Sequence, residues 1–198
     1  YAETYEEAAR LIVEIATTHG VRKVTKSKSM VSEEIGLNHA LEAAGIVPVE
    51  TDLGEYILQI NDNEAPSHII APVIHKDKEE ISDLFARSHA MPRKTEITQL
   101  TREAREVLRN HFLSADMGMT GANFLIAETG SAAVVTNEGN EGMCTIMPAK
   151  LHVVLAGIEK ILPTLEDLAT LMRLLPRSAT GQQISNYLSI LSGPRRSD

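Results

Sequence analysis

Hydrophobic residues recur every three or four positions in the first half of the chain, whereas in the second half they cluster in short runs. The first pattern is typical of amphipathic helices, and runs of four or five apolar residues favour buried strands. The predicted helices cover residues 4–20, 32–45, 76–87, 97–112 and 164–175. The predicted strands cover residues 22–25, 46–50, 67–71, 124–127, 132–136, 143–147, 152–156 and 187–191, and residues 56–60 fit either element.

Capping residues and glycines support the boundaries of the first two helices. Thr4 and Glu7 have the spacing of a capping box, and Gly20 follows the last apolar position of that helix. Ser32 is predicted to cap the second helix, which Gly45 ends. The chain therefore carries local start and stop signals that agree with its hydrophobic period.

Helices and strands alternate in the first half of the chain, and strands cluster in the second half. This order predicts an α/β three-layer sandwich with a mostly parallel central sheet and an antiparallel hairpin. Residues 1–198 contain no repeat, low-complexity tract or evident linker, so we expect a single domain. Because the chain begins at Tyr1 and ends in a polar tail, we interpret it as part of a longer protein.

Composition excludes several classes of function. The net charge is -8, and no basic stripe is interleaved with aromatic residues, so nucleic acid is not an expected partner. No apolar run approaches the ~20 residues that cross a bilayer, so no transmembrane segment is expected. The single cysteine, Cys144, rules out an internal disulfide, is expected in the core, and favours a reducing cytoplasmic location.

The segment KSKSM at residues 26–30 lies between the first predicted strand and the following helix. In open α/β sheets, ligands bind outside the carboxyl ends of the strands. Lys28 and Ser29 are therefore candidates to bind a small anionic ligand such as a phosphate, a carboxylate or a nucleotide. The simpler interpretation of this segment is a solvated loop.

A second candidate site lies where the apolar run 124–127 ends at Glu128. A carboxylate buried at such a junction is costly unless it is hydrogen-bonded or paired, and a nearby glycine lets backbone amides approach it. We predict Glu128 as a catalytic nucleophile, a general base or a group that only orients the ligand. The alternative is a structural ion pair with a lysine or arginine. The residues predicted to line the ligand site beside it are Gly121, Asn123, Thr129 and Gly130.

The remaining motifs carry less information. Residues 137–142 (NEGNEG) are predicted to form a hairpin turn, because Asn and Gly tolerate positive φ. The seven histidines have no zinc-like spacing, and no calcium-loop or phosphate-loop pattern is present, so no metal site is expected. Residue type alone suggests that one side of an anion site is closed by Arg173, Arg177, Thr180 and Gly181.

Several long blocks resemble one known family. They are KSKSMVSEEIGLNHALEAAGI, ETDLGEYILQ, SHIIAPVIHK, FLSADMGMTGANFLIAETGSAAVVTNEGN and GIEKILPTLEDLATLMRLLPRSATGQ. In this order they resemble the LUD domain of the lactate-utilisation iron–sulfur protein family, B-subunit type. The resemblance covers nearly the whole chain and implies an α/β fold like that of NagB, RpiA and the CoA-transferases.

The resemblance also implies a biological role. Proteins of this family act with two companion subunits in the bacterial oxidation of L-lactate to pyruvate. Their two [4Fe–4S] clusters lie in a ferredoxin-like segment after the LUD domain and transfer electrons. This chain lacks the C-x-x-C-x-x-C-x-x-x-C-P block of such a segment, so no cofactor is expected within it.

Three hypotheses follow for the domain itself, for which the resemblance supplies no settled catalytic activity. In the first, it is a ligand-binding and subunit-docking module of an L-lactate-oxidising complex. In the second, it is an acyl- or CoA-transferase-like enzyme whose nucleophile is Glu128. In the third, it is a structural scaffold whose apolar surface docks the companion subunits.

Overall fold

The computed structural model describes residues 1–68, 71–136, 139–148, 150–185 and 187–194. Its helices are α1 (Tyr5–Thr18), α2 (Met30–Glu34), α3 (Leu37–Ala43), α4 (Leu53–Ile60), α5 (Lys78–Ser88), α6 (Ile97–Ser114), α7 (Asn140–Ile146) and α8 (Leu165–Thr180). Its strands are β1 (Lys23–Lys26), β2 (Val47–Glu50), β3 (Met117–Thr120), β4 (Phe124–Ile126), β5 (Ser131–Val135), β6 (Leu151–Val154), β7 (Ile161–Leu162) and β8 (Leu188–Leu191). None of the described helices is long and apolar enough to cross a membrane.

The strands form two four-stranded sheets. In the first sheet the order is β2–β1–β3–β6 and all pairs are parallel. In the second sheet the order is β7–β4–β5–β8, with β4–β5 and β5–β8 antiparallel and β4–β7 parallel. The predicted α/β class is confirmed, and the predicted hairpin proves to be the centre of the second sheet rather than an extension of the first.

Helices cover both faces of the parallel sheet, because alternate strand residues point to opposite sides. On one face Met117 and Met119 of β3 pack with buried residues of α1 and α3. On the other face Val49 of β2 packs against Tyr56 of α4 and Leu108 of α6. The second sheet has its own small core, formed with α8 by Ile126, Ala133 and Leu168.

Most elements predicted from the hydrophobic pattern are present with shifts of a few residues at their ends. The Thr4 cap is confirmed, since its side chain accepts a hydrogen bond from the Glu7 amide. Residues 32–45 were predicted as one helix, but the left-handed Gly36 separates α2 from α3, and the cap of α2 is Ser29 rather than Ser32. The ambiguous residues 56–60 are helical, as part of α4. Of the predicted strand 67–71, residues 69 and 70 lie outside the described residues, and the other three are in no strand.

The prediction of a strand at residues 143–147 is wrong, because most of this apolar run lies in α7. The side chain of Cys144 is fully buried there, as expected for a core residue. The helix lies directly on β3 at Gly118, where an added Cβ atom would stand 1.6 Å from the backbone oxygen of Cys144. The glycine at this position therefore lets α7 pack closely on the face of β3, whose two edges pair with β1 and β6. The predicted hairpin turn at residues 137–142 is wrong for Gly139–Gly142, which cap and begin α7, and residues 137 and 138 lie outside the described residues.

Candidate functional site

The candidate site is a cavity of about 610 Å³ at the carboxyl edge of the parallel sheet. The segments that follow β1, β2, β3 and β6 all contribute to its wall, as does the start of α7. The C-terminal part of α8 and the segment before β8 close it from the side of the second sheet. Parallel strands place all their carboxyl ends at one edge, which is why residues distant in sequence meet here.

Four of the six residues predicted to bind the ligand line this cavity: Lys28, Ser29, Gly121 and Asn123. Ser29 caps α2 with its hydroxyl, and an alanine-like Cβ atom at Gly121 would lie 3.4 Å from the Ser29 Oγ. The Asn123 Oδ1 accepts a hydrogen bond of 2.7 Å from the Val135 amide, which fixes the open end of the β4–β5 hairpin at the cavity. The structure thus brings these four residues together, and their role in ligand binding stays a prediction.

The prediction that Glu128 shares this cleft is wrong. Glu128 is exposed in the turn between β4 and β5, and its Oε2 accepts a hydrogen bond of 3.0 Å from the Leu165 amide at the start of α8. The cavity lies at the opposite end of α8, where Pro176 is among its lining residues. Eleven helical residues separate these two points, which corresponds to ~16 Å along the axis.

Thr129 and Gly130 belong to the same turn and do not line the cavity either. The Thr129 hydroxyl donates to Ser131, and Gly130 adopts a left-handed conformation with φ 64 that closes the hairpin. The expected burial of the Glu128 carboxylate is also wrong, since this turn is at the surface. The Glu128 carboxylate instead holds the first turn of α8 against the hairpin.

The carboxylate that does line the cavity is Glu141, in the first turn of α7. The Ser27 hydroxyl, which follows β1, donates to the Glu141 Oε1 at 3.2 Å. Burial raises the pKa of Glu141 to about 7, and the negative charge of Asp52 adds to this effect while the Ser27 hydrogen bond opposes it. A carboxyl group that exchanges protons near neutral pH is thus exposed to any ligand in the cavity.

A second pair of charges lies beside Glu141. Lys28 and Glu55 form an ion pair with 2.6 Å between Nζ and Oε1, and the Glu55 side chain is only 11% exposed. Burial, followed by the contact with Asp52, raises the pKa of Glu55 to about 7, although the bond to Lys28 lowers it. Asp52 itself caps α4 and lines the cavity. The ammonium of Lys28 is therefore paired with Glu55, whose carboxyl group is also in contact with Asp52.

Replacing Glu141 with glutamine is expected to stabilise the protein at pH 8 by about 1–2 kcal/mol. The pKa of Glu141 rises from 4.5 in the unfolded chain to about 7 in the fold, so the folded chain binds more protons between these values. The free energy of unfolding of the wild type therefore falls as the pH rises through this window, and Glu141→Gln removes that loss. The expected stabilisation is smaller than the whole pKa shift would give, because the carboxyl group of Glu141 retains contact with water, which screens its charge.

Urea denaturation of both proteins at pH 4.5, 6 and 8 checks this expectation. The difference between wild type and Glu141→Gln should be small at pH 4.5 and reach its maximum at pH 8. A difference that stays constant across this range would contradict the account of Glu141.

Sequence reasoning missed Asp52, Glu141 and Lys160, all of which line the cavity. Asp52 could have been found, since it follows the predicted strand 46–50 directly and has the residue type of a helix cap. Glu141 was obscured because an apolar run of five residues fits a buried strand or a buried helix equally well. Of the four residues predicted at the end of the last helix, Thr180 lines the cavity, whereas Arg173, Arg177 and Gly181 are not among its lining residues.

Comparison with protein-family models matches residues 1–198 to the LUD domain. The chain belongs to the LUD domain family. This LUD domain is 49% identical over 195 residues to lactate utilization protein B of Geobacillus kaustophilus and 51% identical over 195 residues to that of Shouchella clausii. It is 47% identical over 198 residues to lactate utilization protein B of Macrococcus caseolyticus.

These alignments cover 98–100% of the LUD domain but only 41% of each of the three relatives. The chain thus spans about two fifths of the length of the curated relatives it matches. No solved structure matches it.

The residues of this LUD domain do not fit the [4Fe–4S] clusters that the sequence resemblance led us to expect in a longer protein. A [4Fe–4S] cluster is held by four cysteine thiolates, and the chain has one cysteine. That cysteine is fully buried in α7, where its sulfur lies 3.5 Å from the Thr51 hydroxyl. Within the described part of the chain, no group of three or more His, Cys, Asp or Glu side chains is placed to hold a metal ion.

Proposed function

We propose that this LUD domain is the ligand-binding and subunit-docking part of a protein that takes part in the oxidation of L-lactate to pyruvate. The observation that carries the proposal is the cavity at the carboxyl edge of the parallel sheet, where Lys28, Ser29, Gly121 and Asn123 converge. The names of the relatives, lactate utilization protein B, support the choice of pathway. The ligand carries at least one anionic group, for which Lys160 offers positive charge in the wall. The charge of Lys28, the other lysine of the wall, is balanced by Glu55 at 2.6 Å.

In this proposal the LUD domain itself carries no electrons. Electron transfer belongs to two [4Fe–4S] clusters held elsewhere in the full-length protein, and the companion subunits of a lactate-oxidising complex are its partners. The place of action is the bacterial cytoplasm. The single, buried cysteine is compatible with that reducing compartment.

The transferase hypothesis receives no support at Glu128, because a nucleophile must reach the bound substrate. The Glu128 side chain instead accepts a hydrogen bond from the Leu165 amide at the start of α8, and it does not line the cavity. The scaffold hypothesis predicts that no small molecule binds to the cavity. A binding experiment therefore separates it from the proposed function.

The experiment is a thermal-shift panel on the 198-residue chain with L-lactate, pyruvate, coenzyme A, nucleotides and phosphate. A ligand at 100 times its dissociation constant adds about 2.7 kcal/mol, which raises the melting temperature by ~5–10 °C in a chain of this size. The variant designed to fill the cavity is Gly121→Val. A Cβ atom at this position would lie at van der Waals distance from its neighbours, and the methyl groups of valine would enter the cavity.

We expect at least one anion to stabilise the wild type and the Glu128→Gln control equally, and Gly121→Val to lose that shift. Glu128→Gln is the matched control because its side chain is ~16 Å from the cavity by the helix geometry. If neither an anion of the panel nor a ligand that combines an anionic group with an amine binds to the wild type, the ligand-binding proposal fails and the scaffold hypothesis is favoured.

A further inference from the structure

The wall of the cavity has charges of different sign on its two sides. The strand order β2–β1–β3–β6 lays out the segments after these strands in the same order along the sheet edge. Neighbouring strands are ~4.8 Å apart, so the segments after β1 and β6 are separated by ~10 Å. Asp52 and Lys28 belong to the β2–β1 side, whereas Lys160 belongs to the β6 side.

The β2–β1 side is acidic in spite of its lysine. Lys28 is already paired with Glu55 at 2.6 Å, so this cation is compensated within the wall. Two further carboxyl groups line the cavity on this side: Asp52, which is in contact with Glu55, and Glu141, which the hydrogen bond from Ser27 places there. A ligand carboxylate placed here would meet like charges at close range.

The chemistry of Glu141 favours a cationic partner instead. A carboxylate accepts about four hydrogen bonds, and the neutral Ser27 hydroxyl uses one of these positions. Burial of the carboxyl group raises its pKa to about 7, and the negative charge of Asp52 acts in the same direction. An ammonium group in the cavity would supply both hydrogen bonds and positive charge.

The β6 side contributes a lysine, Lys160, and no carboxyl group among the described residues that line the cavity. The ion pair of Lys160 with the adjacent Glu159 is 3.8 Å long and joins two well-exposed side chains, so it balances the lysine less than the 2.6 Å pair of Lys28 with the more buried Glu55 does. The apolar residues Leu155, Leu175 and Pro176 contribute to the wall as well. The cavity volume of about 610 Å³ lies in the range that holds ligands much larger than lactate, which has six non-hydrogen atoms.

We propose that the cavity binds an elongated zwitterionic ligand, with an ammonium group between Glu141 and Asp52, an apolar spacer, and an anionic group at Lys160. This inference rests on the proposed ligand-binding function and narrows its ligand class. A molecule of this kind spans the ~10 Å between the two sides of the sheet edge, which L-lactate alone does not.

The test uses 6-aminohexanoate and hexanoate as probes that differ only in the amine. Isothermal titration calorimetry on the 198-residue chain is expected to give at least tenfold tighter binding of 6-aminohexanoate. In the series 4-aminobutanoate, 6-aminohexanoate and 8-aminooctanoate, the two longer acids should bind more tightly than the shortest. Equal affinities for 6-aminohexanoate and hexanoate would overturn the inference.

Variants assign the two ends of the ligand. Glu141→Gln should weaken binding of 6-aminohexanoate about tenfold and leave hexanoate unchanged, while Lys160→Met should weaken both probes. Asp52→Asn retains a residue type that caps helices and provides a second, independent variant of the acidic side, which should also weaken binding of 6-aminohexanoate. Glu128→Gln is the control and should change neither affinity.

The outcomes of this test and of the anion panel are distinguishable. If hexanoate or another anion binds and the amine adds nothing, the zwitterion inference fails while the ligand-binding function stands. If neither amino acids nor anions bind, both proposals fail. Tighter binding of 6-aminohexanoate that is insensitive to both Glu141→Gln and Asp52→Asn would place the amine elsewhere and contradict the inference.

Discussion

Replacing Gly118 with alanine is expected to lower the free energy of unfolding by at least ~4 kcal/mol, or to prevent folding altogether. The added Cβ atom would stand 1.6 Å from the Cys144 carbonyl oxygen and 2.8 Å from the Pro148 Cγ. A backbone atom cannot move away as a flexible side chain can, so α7 as a whole would have to leave β3. Total stabilities of natural domains are only about 5–15 kcal/mol, so this single methyl group is a large perturbation.

The matched control is Gly142→Ala in the middle of α7. No atom lies within 4 Å of a Cβ atom built there, and alanine is a better helix former than glycine. We therefore expect Gly142→Ala to stabilise the protein by up to ~1 kcal/mol. Urea denaturation measures both variants, and a Gly118→Ala variant within 1 kcal/mol of the wild type would contradict the packing of α7 on β3.

Replacing Lys26 with methionine is the substitution with the second-largest expected effect. The Lys26 side chain is 2% exposed, and its Nζ lies 2.7 Å from the Glu50 Oε1 and 2.6 Å from the Asn38 Oδ1. The side-chain Nδ2 of Asn38 also donates a hydrogen bond to the Glu50 Oε1 at 2.8 Å. Removing the cation leaves a buried carboxylate without its countercharge, which costs about 3–5 kcal/mol.

A double-mutant cycle in urea isolates this interaction. Lys26→Met combined with Glu50→Gln should recover much of the loss, because no uncompensated charge remains buried. The exposed Arg10, which pairs with Glu14 at 3.3 Å, supplies the control Arg10→Met, with an expected change within ~0.5 kcal/mol. If Lys26→Met costs no more than Arg10→Met, the buried pair does not hold the ends of β1 and β2 together.

Helices whose residues carry their own apolar spacing and capping residues were predicted correctly from the sequence. The apolar spacing and the Thr4 cap were enough for α1, and the stripe from Ile97 to Phe112 was enough for α6. The strand β3 was missed because its four residues, MGMT, include a glycine, which is not typical of strands. This glycine is needed because α7 packs directly on it. The packing depends on a contact between residues 118 and 144, which are too far apart in the sequence for a short segment to reveal it.

The candidate site was predictable in part for the same reason. Lys28 and Ser29 follow β1, so the rule for the carboxyl ends of parallel strands applied to them. Gly121 and Asn123 were predicted only as neighbours of Glu128, and they line the cavity because they follow β3, a strand that the sequence did not predict. The rule was applied to Glu128 as well, but the strand before it belongs to the second sheet and is followed by a surface turn. Which strands share a sheet is a tertiary property, and the apolar run 124–127 does not reveal it.

The most direct test of the ligand-binding account is to map, by two-dimensional NMR of the ¹⁵N-labelled chain, which backbone amides shift on addition of L-lactate and of 6-aminohexanoate. The account predicts that at least one of these probes shifts the amides of residues 28–31, 121–123 and 155–157, which follow β1, β3 and β6 at the cavity. Shifts centred on residues 127–130 at the far end of α8, or no shifts with either probe, would contradict it.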